Sequence, residues 1–150
     1  MRDQLKKALK ESMRAKDERA VSTLRLIMAA LKDRDIAIRA SGDTDGIPES
    51  DIMQMLQSMV KQRRESIKLY ETGGRLELVE QEQQEIAVIQ RFLPQQMGEA
   101  EIESAVRMVI EELGVTGLKQ MGPVMTELRE RFAGRMDFGK ASSIVKQALS

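Results

Sequence analysis

Four basic residues near the end of the chain, Lys119, Arg135, Lys140 and Lys146, accompany a stretch where glycine recurs three times within nine residues, at Gly114, Gly117 and Gly122. Glycine lets backbone N–H groups come close to a phosphate, and nearby Lys or Arg side chains can neutralise the charges beside it. Gly117, Lys119, Gly122, Arg135, Lys140 and Lys146 are therefore the candidate anion contacts. Each of these cations also has an ordinary role as a helix-end or surface charge. A second basic patch is Lys61, Arg63 and Arg64 in KQRRES, where an apolar pattern pauses. A guanidinium platform there would suit phosphate or a partner's carboxylates. The plainer reading is a solvated helix face with a Lys61–Glu65 pair at i,i+4, worth roughly 0.3 kcal/mol.

Other chemistry is scarce. The chain has no histidine and no cysteine. That removes the commonest general base, the usual zinc ligands, any thiolate nucleophile and any disulfide framework. A Ser-Lys pair remains open, but no serine stands in a nucleophile setting. Gly73 and Gly74 make no phosphate loop, since no GK[ST] follows. The segment SGDTDG, Ser41 to Gly46, fits a calcium loop in part: counted from Ser41, Asp43 is at position 3, Asp45 at 5 and Gly46 at 6. Position 1 is Ser and position 12 is Ile52, so the bidentate Glu is missing and an interhelical loop is the better reading. No catalytic residue, metal site or cofactor is expected.

The elements that would hold these residues read as helices throughout. Leu5, Ala8, Leu9 and Met13 give the apolar face of a first helix over about 3–15, and Val21, Leu24, Met28, Leu31 and Ile38 that of a second with Asp17 as N-cap. The third runs from about Glu49 to Tyr70, with Ile52, Leu56, Met59, Val60, Ile67 and Tyr70 inward. The fourth runs from Leu76 to Phe92 or Leu93, its stripe built on Ile86, Ile89 and Leu93, with Glu77, Glu80, Glu82 and Glu85 as an acidic flank. Pro94 stops it, because proline lacks an N–H and moves Leu93 out of the helical region. A new unit then begins: Met97 and Ile102 flank Gly98 as a hydrophobic staple, and Glu101 sits where a capping-box carboxylate belongs. Its first helix, Glu99 to Leu113, ends at Gly114. The next contains Val124, Met125 and Leu128, with Pro123 either at N1 or after a single turn. Asp137 caps a last helix over 138–149. Short loops let the first four helices close as a bundle. The expectation is an all-α protein with a helical bundle over 1–94 and a smaller three-helix domain over 95–150.

The 150 residues carry 24 Lys and Arg and 24 Asp and Glu. The balance is local, not uniform: residues 1–25 hold eight basic against four acidic, 71–114 hold three against ten, and 115–150 hold six against three. A solvated surface can look like this, and the neutral total also leaves room for a local polyanion site. No apolar run approaches the roughly 18 residues a membrane span needs, and no signal-peptide segment follows Met1, so a cytoplasmic protein is expected.

STLRLIMAALKDR at Ser22 to Arg34, MVKQRRESI at Met59 to Ile67, EIAVIQRFLPQQM at Glu85 to Met97, LKQMGPVM at Leu118 to Met125 and AGRMD at Ala133 to Asp137 together resemble the YqeY family. Its C-terminal part is similar to the tail domain of the B subunit of the aspartyl/glutamyl-tRNA amidotransferase. Pro48 and Gly98 stand where a Ser or Thr cap is more usual, and Pro123 where Lys is common, so residue 123 offers no basic contact here. The resemblance implies a tRNA-binding accessory module working beside an amidotransferase or an aminoacyl-tRNA synthetase, with RNA and not DNA or membrane as partner. It implies neither the ATP-binding core nor the amidase. Two other functions compete: a protein-binding adaptor without RNA, for which eleven methionines and the acidic middle offer docking chemistry, and a share in a carbon-nitrogen ligase activity with glutamine as amido-nitrogen donor.

Overall fold

A computed structural model describes residues 1–150. All regular structure is helical: α1 (Arg2–Arg14), α2 (Glu18–Arg39), α3 (Glu49–Thr72), α4 (Leu76–Gln90), α5 (Glu99–Leu113), α6 (Met121–Arg131) and α7 (Phe138–Leu149), with one 3₁₀ turn at Leu118–Gln120. The chain divides into two compact units, Met1–Leu93 and Pro94–Ser150.

In the first unit, α1 to α4 bury Leu5, Leu24, Ile27, Ile52, Leu56 and Ile89 in one core. Ile27 and Met55, absent from the expected stripes, are fully inside, whereas Val21, Met28 and Met59 are only half-buried. The reason is helix width. A helix packed on two sides buries a face broader than one i,i+3,i+4 row, so the inward centre depends on where the neighbours stand. α4 ends at Gln90, earlier than expected. The chain reaches Leu93 through N–H groups of Arg91, Phe92 and Leu93 that bond three residues back at 3.1 to 3.3 Å. Pro94 thus tightens the final turn instead of cutting the helix cleanly.

The helix ends follow local rules. Asp17 accepts the Ala20 N–H at 3.2 Å. α3 closes with Gly74 at φ +70°, the Gly74 N–H on Glu71 O at 3.1 Å and the Arg75 N–H on Tyr70 O at 2.8 Å. This is the paired bonding of a Schellman cap. α1 ends in the same way on a residue that is not glycine: Lys16 has φ +57°.

Two charge clusters tie the first unit together. Arg2 Nη2 donates to Asp35 Oδ1 and to Ile47 O, each at 2.9 Å, and the Ile47 N–H donates to Asp35 Oδ1 at 2.9 Å. The Arg2 guanidinium holds the Asp35 carboxyl down at about 2, below its ordinary 3.8. Gly46, at φ +87°, passes beneath this cluster, where a Cβ would stand 2.7 Å from Arg2 Nη2 and Asp35 Oδ1. The second cluster corrects the acidic flank assigned to α4. Glu85 is buried: Arg63 Nε donates to its Oε2 at 3.0 Å, and Arg19 Nη1 stands 3.7 Å from its Oε1. Burial, then the Glu85 carboxylate, pushes the neighbouring Glu82 carboxyl up.

In the second unit, α5, α6 and α7 bury Ile102, Val106, Val109, Leu128, Met136 and Val145. Gly98 N–H donates to Glu101 Oε1 at 3.3 Å, and Asp137 accepts the Gly139 and Lys140 N–H groups at 2.9 and 3.2 Å. α5 closes on Gly114 at φ +64°, with the Val115 N–H on Ile110 O at 3.2 Å and Val115 turned into the core.

Candidate nucleic-acid interface

After Gly114 the chain turns back through Val115–Gly117 and enters the 3₁₀ turn, which leads directly into α6. The Thr116 N–H is held by Gln120 Oε1 at 3.1 Å, and the first backbone bond of the new helical segment runs from Gln120 N–H to Gly117 O at 3.1 Å. The N–H groups of Leu118 and Lys119 precede that bond, at the end of the segment where donors outnumber acceptors. Lys119 is exposed. Pro123 lies in the first turn of α6, after this single preceding turn, so its missing N–H interrupts no interior bond.

The two candidate glycines differ from Gly114. Gly117 has an extended backbone at φ −150°, which any residue adopts, and Gly122 lies within α6. A Cβ at either would meet nothing within 4 Å. Neither is demanded by the fold, and both leave open space beside the chain.

The other candidates lie at the far end of α6. That helix spans roughly 15 Å at 1.5 Å per residue, so Lys119 is separated by its length from the turn that carries Arg135. Gly134 (φ +78°) bends the chain there. The Arg135 carbonyl accepts the Met97 N–H at 2.8 Å while its side chain is exposed. Lys140 sits in the first turn of α7 and Lys146 in its last, both exposed. The six candidates therefore form two groups, Gly117, Lys119 and Gly122 at the amino end of α6 and Arg135 and Lys140 beyond its carboxyl end, with Lys146 further along α7.

These four cations share one feature, that none joins an ion pair. The ion pairs of the second unit engage only Arg131, with Glu112 at 2.6 Å and Glu127 at 2.7 Å, and these contacts raise the Arg131 pKa. Arg129 lies over the Phe138 ring at 6.0 Å. Lys119, Arg135, Lys140 and Lys146 have no carboxylate partner. The i,i+4 spacing of Glu127 and Arg131 signals one of the pairings in advance; nothing local signals Glu112.

The second basic patch is not a single surface. Lys61 and Arg64 are exposed, but Arg63 turns inward, its side chain 13% exposed, to Glu85 and to Met59 O at 3.2 Å. The expected Lys61–Glu65 pair does not form. No group of three or more Asp or Glu comes together in a way that could hold a metal, and no helix is long and apolar enough to cross a membrane.

Fold and surface define an all-helical protein of two units whose smaller unit carries unneutralised cations at both ends of one helix. The chain belongs to the YqeY family: the family described as Yqey-like protein matches residues 2–149. Similar proteins include three that share the name altered inheritance of mitochondria protein 41, mitochondrial. The one from Lachancea thermotolerans is 30% identical over 97% of this chain and 76% of its own length. The one from Pyrenophora tritici-repentis is 31% identical over 85% of this chain and 68% of its own length. The one from Saccharomyces cerevisiae is 29% identical over 73% of this chain, which spans 58% of that protein.

Proposed function

We propose that this chain is a non-catalytic tRNA-binding accessory module, acting beside an enzyme of tRNA-dependent amidation or of aminoacylation. The observation that carries this reading is the set of exposed cations in the second unit without carboxylate partners, while Arg131 of the same unit is doubly paired. Cations left without internal partners favour a polyanion, and open space at Gly117 and Gly122 lets a phosphate come close to the backbone. The contact would be to RNA backbone and shape. The second unit's two phenylalanines, Phe132 and Phe138, pack against its core and offer no free stacking platform. The cytoplasm is where this reading puts the chain; a mitochondrial location, which the relatives' names give for them, would leave the contact chemistry unchanged.

The test is a titration of the full chain with fluorescent bulk tRNA at two salt concentrations, beside Lys119→Ala plus Arg135→Ala. Binding that weakens with salt, and whose salt slope falls by about two in the double variant, supports the reading. No binding at low salt overturns it. A second reading, a protein-docking adaptor, draws on the exposure of Met108, Leu113 and Leu118 in the second unit. It is favoured if the chain captures an amidotransferase or synthetase without RNA.

A further inference from the structure

The first unit has its own basic surface, and it is not the one the basic run in the sequence suggests. The Arg63 bond to Glu85, with its second contact to Met59 O, holds Arg63 on the side of α3 that faces α4. With Arg63 inside, Lys61, Arg64 and Lys68 follow one another at i, i+3 and i+7, a spacing that puts them on one helix face. All three are exposed and none joins an ion pair. Nearby along that face Ser58 and Thr72 donate their hydroxyls back to Gln54 O and Lys68 O, at 3.1 and 2.9 Å, which leaves their oxygens free to accept. Glu65 is the one carboxylate interleaved with the three cations.

The stripe extends about 10 Å along the helix from Lys61 to Lys68. Three cations spread over that length on one exposed face match a backbone with regularly repeated phosphates better than they match one small anion. Aromatic side chains are missing from the stripe, so stacking on bases is not part of the contact. We infer that the outer face of α3, through Lys61, Arg64 and Lys68, is a second phosphate-backbone contact for tRNA, distinct from the cations of the second unit. This rests on the tRNA reading above, and it replaces Arg63 by Lys68 in the surface.

The experiment compares three forms of the full chain in the same tRNA titration: wild type, Lys61→Ala/Arg64→Ala/Lys68→Ala, and a charge-matched control, Lys6→Ala/Lys10→Ala/Arg14→Ala, on the exposed face of α1. The expected result is a loss of about tenfold or more at 0.1 M salt, with a salt slope lower by two to three, for the α3 triple alone. Glu65→Gln should strengthen binding. If the wild type binds and the α3 triple binds equally well, the stripe serves solvent or an acidic protein and the inference fails while the tRNA reading stands. If both triples lose affinity equally, the effect is one of net charge, and the local contact is again overturned. A wild type that does not bind removes both readings.

Discussion

The two units differ in how deeply charge is built into them. In the first, Arg2, Asp35, Arg19, Arg63 and Glu85 join helices distant in sequence, so charge is part of the architecture. In the second, the helices meet through an apolar core, the one cross-helix ion pair, Arg131 with Glu112, lies near the surface, and most of the cations lie outside the fold's own contacts. A basic residue in one unit is therefore a poor guide to a basic residue in the other. A cation without an internal partner costs the fold little to keep or remove, and such positions are where an external anion can be met.

This contrast can be broken first at Glu85, whose side chain is 11% exposed. Glu85→Ala leaves the Arg63 guanidinium uncompensated in a nearly dry site and should cost the first unit about 3–5 kcal/mol. Denaturation followed by the fluorescence of Tyr70 checks it, because this is the chain's one tyrosine, there is no tryptophan, and it lies in the first unit. A loss below about 1 kcal/mol would mean that the buried cluster is as dispensable as a surface pair. Gly46→Ala comes next, at about 1–3 kcal/mol, since it combines a left-handed backbone with a Cβ driven against Arg2 and Asp35.

Acid should act on the same unit. The Asp35 pKa is lower folded than unfolded, so its contribution to stability is complete above about 3.8, declines as pH falls, and is gone below about 2. Thermal melts between pH 5 and pH 2 should show Asp35→Asn losing less stability over that window than wild type. The smallest change is expected in the second unit: Lys119→Ala plus Arg135→Ala should alter stability by no more than about 0.5 kcal/mol, read by circular dichroism. A larger loss would show that those cations support the fold and would erase the comparison.

Much of the helical plan was legible because its signals are local. Asp17, Asp137 and the Gly98–Glu101 pair act on N–H groups two to three residues away, and Gly74 and Gly114 supply the left-handed backbone that ends a helix. The candidate site was legible only as a set of residue types. Nothing in VTGLKQMGP states that Gly117 is extended and Gly122 helical, or that α6 holds Lys119 away from Arg135. Arg63 and Glu85 were both misplaced from sequence, as part of a surface patch and of an acidic flank, because each is the other's partner across 22 residues.

Alone, the amino-acid sequence determined the all-helical class, the capped ends and the helix stop before Pro94, since proline, glycine, capping side chains and apolar periodicity act within a turn or two of chain. Tertiary structure decided which charges are buried and which are free. An ionised side chain is stable inside only where another element brings it a partner, and that meeting depends on how α2, α3 and α4 pack, not on the residues beside it.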